Sequence, residues 1–177
     1  MADVVVRATQ PALAAIKLAW WRERLDELDE GKVPAEPRLQ DAARELIPRG
    51  IAGSSLAELG EGWAALLEEV PDATRVQQRG ETLFRLGASL LKTGFDDRGI
   101  GAAGRLFAVA DISRRGLRDV AVETPDTGGL RIARSARPLT ALAALAARDL
   151  RRGPRLEPQA TPGRAWTLLR HRLTGRL

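Results

Sequence analysis

Apolar residues recur at intervals of three and four along nearly the whole chain and few stretches alternate, so the sequence commits to helices and leaves little that reads as strand. The punctuation agrees. Proline stands where helices open, at Pro11, Pro71, Pro138 and Pro162, because its fixed φ and missing N–H are tolerated in a first turn. The spacing predicts a first helix that enters at residues 9–11 and stops at Gly31. Its stripe of Leu13, Ile16, Trp20, Leu25 and Leu28 is expected to face inward, with Trp21 rotated about 100° away. A short helix follows over about residues 38–47, and Ser55 with Glu58 reads as a capping box for a third near 55–69. A fourth starts at Pro71 and Asp72 and carries Val76, Leu83, Leu86 and Leu90. Residues 99–114 form a fifth, capped by Asp96 or Asp97, with Ile100, Ala103, Leu106, Phe107 and Ala110 in phase. Residues 115–137, where Pro125, Gly128 and Gly129 cluster without period, read as a loop region. One amphipathic helix opens at Pro138. Another is capped by Thr161 and places Trp166, Leu169 and Leu173 on one stripe that is expected to serve the core. The expectation is an all-α array of six to eight helices forming a single domain over residues 1–177.

Composition narrows the chemistry. The absence of cysteine excludes disulfides, thiolate metal sites and a cysteine nucleophile, and a single histidine excludes any site that needs two imidazoles. No window approaches the roughly 18 apolar residues of a spanning helix, and the first residues lack a basic and apolar leader, so the chain reads as cytoplasmic. Charge is divided unevenly. Residues 1–97 hold 12 Lys and Arg against 17 Asp and Glu, whereas residues 98–177 hold 16 against 6, and all 16 cations there are arginine. The guanidinium fork suits phosphate and carboxylate, so an acidic protein or an anionic membrane surface is the expected partner, the latter allowing peripheral attachment. Arg148, Arg151, Arg152, Arg170 and Arg172, on the last two helices, are the candidate anion-binding residues. Nucleic acid fits less well, because tyrosine is absent and the few other aromatics fall on apolar stripes rather than among cations.

Individual motifs carry little. Gly99, Gly101 and Gly104 match a dinucleotide-binding spacing, but that fingerprint needs a preceding strand; small residues that allow close helix packing explain them better. Asp26 with Glu30 and Asp41 with Glu45 are four apart, a spacing that can grip a cation, yet both pairs lie among arginines on solvated helix surface. His171, among Arg170, Arg172 and Arg176, reads as a solvated residue of a basic face.

Several stretches together resemble a known family. "RATQPALAAIKLAWWRERLDELDEGK", "LAELGEGWAALLEE", "GRLFAVADISRR", "RPLTALAALAARDLRR" and "LLRHRLTGRL" are similar to the squalene/phytoene synthases, particularly their short, divergent bacterial branch. The resemblance runs across nearly the whole chain. It implies an isoprenoid-synthase-like helical array in terpenoid biosynthesis, with Trp20 and Trp21 in the wall around a central cavity. In that family two aspartate-rich helices hold magnesium against prenyl diphosphates. Here the first would precede the tryptophan helix, where the chain offers only "MADVVVRATQ", so the array is expected to be shortened at its N-terminus. The second would fall on residues 99–114, where Asp111 stands alone and Asp96 and Asp97 lie just ahead. The reading is therefore a degenerate, non-catalytic member, a pseudoenzyme kept as a binding or assembly module, with no cofactor and no metal. Two alternatives stay open: an active head-to-head prenyl-diphosphate transferase with magnesium, its carboxylates drawn from Asp96, Asp97 and Asp111, and an anionic-membrane or nucleic-acid binding module.

Overall fold

The computed structural model describes residues 1–91, 96–117, 130–153 and 156–177. Among these the chain is all-helical, with no strand. The elements are α1 (Ala2–Val6), α2 (Pro11–Asp29), α3 (Pro37–Glu45), α4 (Gly53–Ala57), α5 (Leu59–Ala64), α6 (Ala73–Leu90), α7 (Asp97–Arg114), α8 (Arg137–Arg152) and α9 (Pro162–Thr174). Helices α4 and α5 meet at Glu58 and count as one if the break is ignored. The chain divides into two compact units, Met1–Arg79 and Gly80–Leu177.

In the first unit α2 is the central element, and its boundaries follow the punctuation: Pro11 in the first turn, Gly31 at φ 76° just past the end. Its inward face follows the expected stripe only at Leu25 and Leu28. Ala14, Leu18, Leu25 and Leu28 are buried, while Leu13, Ile16 and Trp20 are exposed. Trp21, not Trp20, packs on the core formed by Leu25, Leu28, Leu39 and Ala57. The cause is that α2 carries apolar residues on two adjacent faces, and the one in phase with Leu25 and Leu28 also contains Leu18 and Trp21, at intervals of seven, four and three. The two indoles meet edge to face, 5.2 Å between centroids. Trp21→Ala is therefore expected to cost about 3 kcal/mol, and Trp20→Ala, at 42% exposure, about 1 kcal/mol. Equal losses in a denaturant titration would show that both rings bear on the core.

The start of α4 also departs from the expectation. The helix opens at Gly53, two residues before Ser55, and its cap comes from α2: the Asp29 carboxylate accepts from the backbone N–H groups of Gly53 at 2.6 Å and Ser54 at 2.9 Å. These bonds hold the Asp29 carboxyl below its usual range, the Ser54 backbone N–H contributing most. A Cβ on Gly53 would lie 2.0 Å from the Leu25 carbonyl oxygen, so this approach requires glycine. Later in the unit, the Arg79 guanidinium stacks 3.8 Å over the buried Trp63 ring.

The second unit is built on α7, α8 and α9. Helix α7 starts as expected, with the Asp96 carboxylate accepting from Arg98 N and Gly99 N. Its glycines serve packing: a Cβ on Gly104 would meet the Gly80 carbonyl oxygen at 2.2 Å. Ile132 and Ala136, at the end of the segment expected to be loop, join Phe84, Ile100, Ala103 and Ala143 in a core cluster, and Ile132 N donates to Gly175 O at 2.9 Å. Residues 118–129 of that segment lie outside the described residues.

Helix α9 reverses its expected orientation. Buried are Arg164, Thr167 and His171, while Trp166, Leu169 and Leu173 lie in solvent. The polar stripe faces α8. Arg164 pairs with Asp149, Thr167 Oγ1 lies 3.4 Å from Arg148 Nη1, and His171 Nε2 lies 2.9 Å from Thr140 Oγ1. His171 is thus not a solvated residue: it is 1% exposed, and its Nδ1, facing a carbonyl, donates to Arg176 O at 2.8 Å.

Candidate functional site

Helices α7, α8 and α9 and the segment ahead of α9 line a half-open cavity of about 710 Å³ in the second unit. Its lining combines apolar Phe107, Leu142, Leu145 and Leu168 with charged Asp111, Arg114, Asp149 and Arg164, each helix contributing to both. Asp149 organises the charged residues. Its side chain is 2% exposed and accepts from Arg114 Nε and Arg164 Nη1, both at 2.6 Å, so a buried anion is held between two cations from different helices. The Asp149 hydrogen bond raises the Arg114 pKa. The same guanidinium extends to Glu157, donating from Nη2 to its backbone oxygen at 3.2 Å.

Glu157 forms a second knot beside the first. Its carboxylate accepts from Arg148 Nε and Arg152 Nη1, both at 2.7 Å, and from the Thr161 hydroxyl that also caps α9. Arg148 first, then Thr161, holds the Glu157 carboxyl down at about 2. Because its folded value lies below the ordinary glutamate value, the stabilisation is complete above that range and is lost as pH falls toward 2. Melting temperatures of the wild type are expected to drop over that interval, and Glu157→Gln to flatten the drop. An unchanged slope in Glu157→Gln would assign the acid sensitivity to other carboxylates.

The carboxylates proposed for catalysis do not come together. Asp96 caps α7, Asp97 pairs with both Arg85 Nε and Nη2, and Asp111 lies near the other end of the helix, roughly 20 Å along its axis. Only Asp111 of the three lines the cavity, and its Oδ1 accepts from Arg115 Nε at 2.8 Å. Among the described residues no group of three or more potential metal-binding side chains is found. Of the spaced acidic pairs, Asp41 and Glu45 both bond Arg44, and Glu30 bonds Lys32.

The five arginines expected to bind anions separate into two sets. Arg148 and Arg152 are turned to Glu157, whereas Arg151, Arg170 and Arg172 are exposed and pair with no carboxylate among the described residues. The residues that build the charged part of the wall, Asp149, Arg114 and Arg164, were not singled out by the sequence reading. The available signal was scarcity: Asp149 is one of six acids in residues 98–177, set between an alanine run and "RR".

These features define an all-α chain whose second unit holds an apolar cavity with a buried, ion-paired arginine cluster in its wall. No family model matches the chain, and neither curated proteins nor solved structures give a significant match. None of the helices among the described residues is long and apolar enough to cross a membrane.

Proposed function

We propose that this chain is a non-catalytic binding module, a degenerate relative of the squalene/phytoene synthases that keeps a helical scaffold and engages an anionic partner through its basic second unit. The observation that carries this reading is the state of the acids on α7. Each is committed to the protein: Asp96 to backbone N–H groups, Asp97 to Arg85, Asp111 to Arg115. Ionising an allylic diphosphate needs its leaving charge neutralised where it develops. A magnesium ion for that task takes carboxylate oxygens, and the cavity wall supplies Asp111 beside Arg115 and Asp149 between two guanidiniums. The residues present do not fit the metal. The exposed arginines that pair with no carboxylate among the described residues, Arg151, Arg170 and Arg172, suit binding, since a guanidinium attracts an anion without breaking a bond in it.

The test is turnover. Purified protein with farnesyl or geranylgeranyl diphosphate and magnesium is expected to form no squalene- or phytoene-like product above a control without protein. Product that disappears in Asp111→Ala would establish the prenyl-transferase reading instead.

A further inference from the structure

We infer that the outward face of α9 docks on an anionic lipid leaflet, with Trp166, Leu169 and Leu173 entering the interfacial region and Arg170 and Arg172 engaging headgroup phosphates. The inference rests on the reading of the chain as a binding module and names the partner. Trp166 is 63% exposed, Leu169 45% and Leu173 67%. They stand opposite the buried stripe of Arg164, Thr167 and His171, so an apolar ridge points directly away from the unit. Spacing at about 100° per residue puts Arg170 on one flank of this ridge and Arg172 on the other. An apolar stripe between two long cations, with an indole among its members, is the pattern of a helix lying in a membrane interface, where the arginine stems run along the apolar boundary and the charges reach the phosphates.

Charge decides between occupants. No Asp or Glu occurs after Glu157, so the last helix carries arginines and no acidic side chain. A second copy docked α9 to α9 would set Arg170 and Arg172 against their own equivalents, whereas anionic headgroups neutralise them. A groove of about 770 Å³ continues from the ridge, lined by Leu168, Leu173 and Pro138 and carrying Arg134 and Arg172, which pair with no carboxylate among the described residues. It offers room for a headgroup beside the inserted leucines.

The experiment is sedimentation with vesicles of phosphatidylcholine alone or mixed with phosphatidylglycerol, at about 0.1 M salt, where exposed charges act over roughly 10 Å. Wild type is expected to sediment with the anionic vesicles only, and its Trp166 emission to shift to the blue, a shift absent in Trp166→Phe. Leu169→Asn with Leu173→Asn, and separately Arg170→Gln with Arg172→Gln, are each expected to weaken binding by about tenfold or more. All four side chains are exposed, and unchanged melting temperatures would show that the variants fold. Wild type left in the supernatant would overturn the inference. So would leucine variants that sediment like wild type, which would leave charge alone as the attraction. A concentration-dependent dimer abolished by the leucine variants, without vesicle binding, would overturn it in favour of a second copy. Prenyl-diphosphate turnover would overturn the non-catalytic reading while leaving the vesicle result intact, so the two failures are distinguishable.

Discussion

Asp149→Ala is expected to destabilise the second unit by about 3–5 kcal/mol, the range for removing one partner of a buried ion pair. The cost arises from what is left behind. Arg164 is 9% and Arg114 23% exposed, and without Asp149 both guanidiniums lose a hydrogen bond of 2.6 Å in a site that water reaches poorly. The loss also reaches α9, because Arg164 is one of the three residues that turn its polar stripe toward α8. Exchange of α9 amides should therefore rise in Asp149→Ala more than exchange in the first unit. Since the chain has two units, a single two-state midpoint is not assumed, and hydrogen exchange resolves which one opens. A cost below about 1 kcal/mol, the level of an exposed pair, would show that the network is solvated.

Gly104→Val is expected to cost about 3 kcal/mol. A Cβ at this position would meet Gly80 O at 2.2 Å, Gly80 C at 2.6 Å and Glu81 Cα at 2.9 Å, all backbone atoms that no side-chain rotation can move. The backbones of α6 and α7 must separate at the crossing. Removing a helical glycine returns at most about 1 kcal/mol of propensity, so the steric term determines the sign. Gly101→Ala is the control. Its Cβ would meet the Glu81 carboxylate at 3.1 Å, a side chain held by Arg85 and Arg105 rather than a backbone, and its cost should be the smaller of the two. Equal losses in the two variants would mean that α7 is sensitive to any added side chain, not that the α6–α7 crossing is tight.

The starts of α2, α7 and α9 were legible because their causes are local, unlike that of α4, whose cap comes from Asp29 on another helix. Pro11 and Pro162 fix φ for a first turn, Asp96 and Thr161 bond N–H groups two or three residues on, and apolar spacing reports itself within a few turns. The packing role of Gly104 was legible in part: a helix rich in small residues lets another backbone come close, but which glycine meets it was decided by the partner helix. Less of the candidate site could be read. Asp111 was found, and Arg114 lies on the same helix, but the other charged residues of the cavity wall come from two other helices, with Asp149 35 residues beyond Arg114 and 15 before Arg164. No local pattern links them.

The orientation of α9 separates the two kinds of information most clearly. Its sequence determined an amphipathic helix with an apolar stripe of Trp166, Leu169 and Leu173 and a polar stripe of Arg164, Thr167 and His171, and the ordinary rule puts the apolar one inside. Which stripe is buried was decided by α8, where Thr140, Arg148 and Asp149 offer partners in register with the polar one. Burial of apolar area is non-directional, so either α8 or another surface can satisfy the leucines. A buried carboxylate between two guanidiniums has a defined geometry, and leaving it unpaired costs about 3–5 kcal/mol, more than one exposed leucine forgoes. The same holds for α2, where two apolar stripes were written into one helix and only packing against Leu39 and Ala57 selected Trp21 over Trp20. Period is a property of the chain segment; the inward direction belongs to the pair of surfaces that meet.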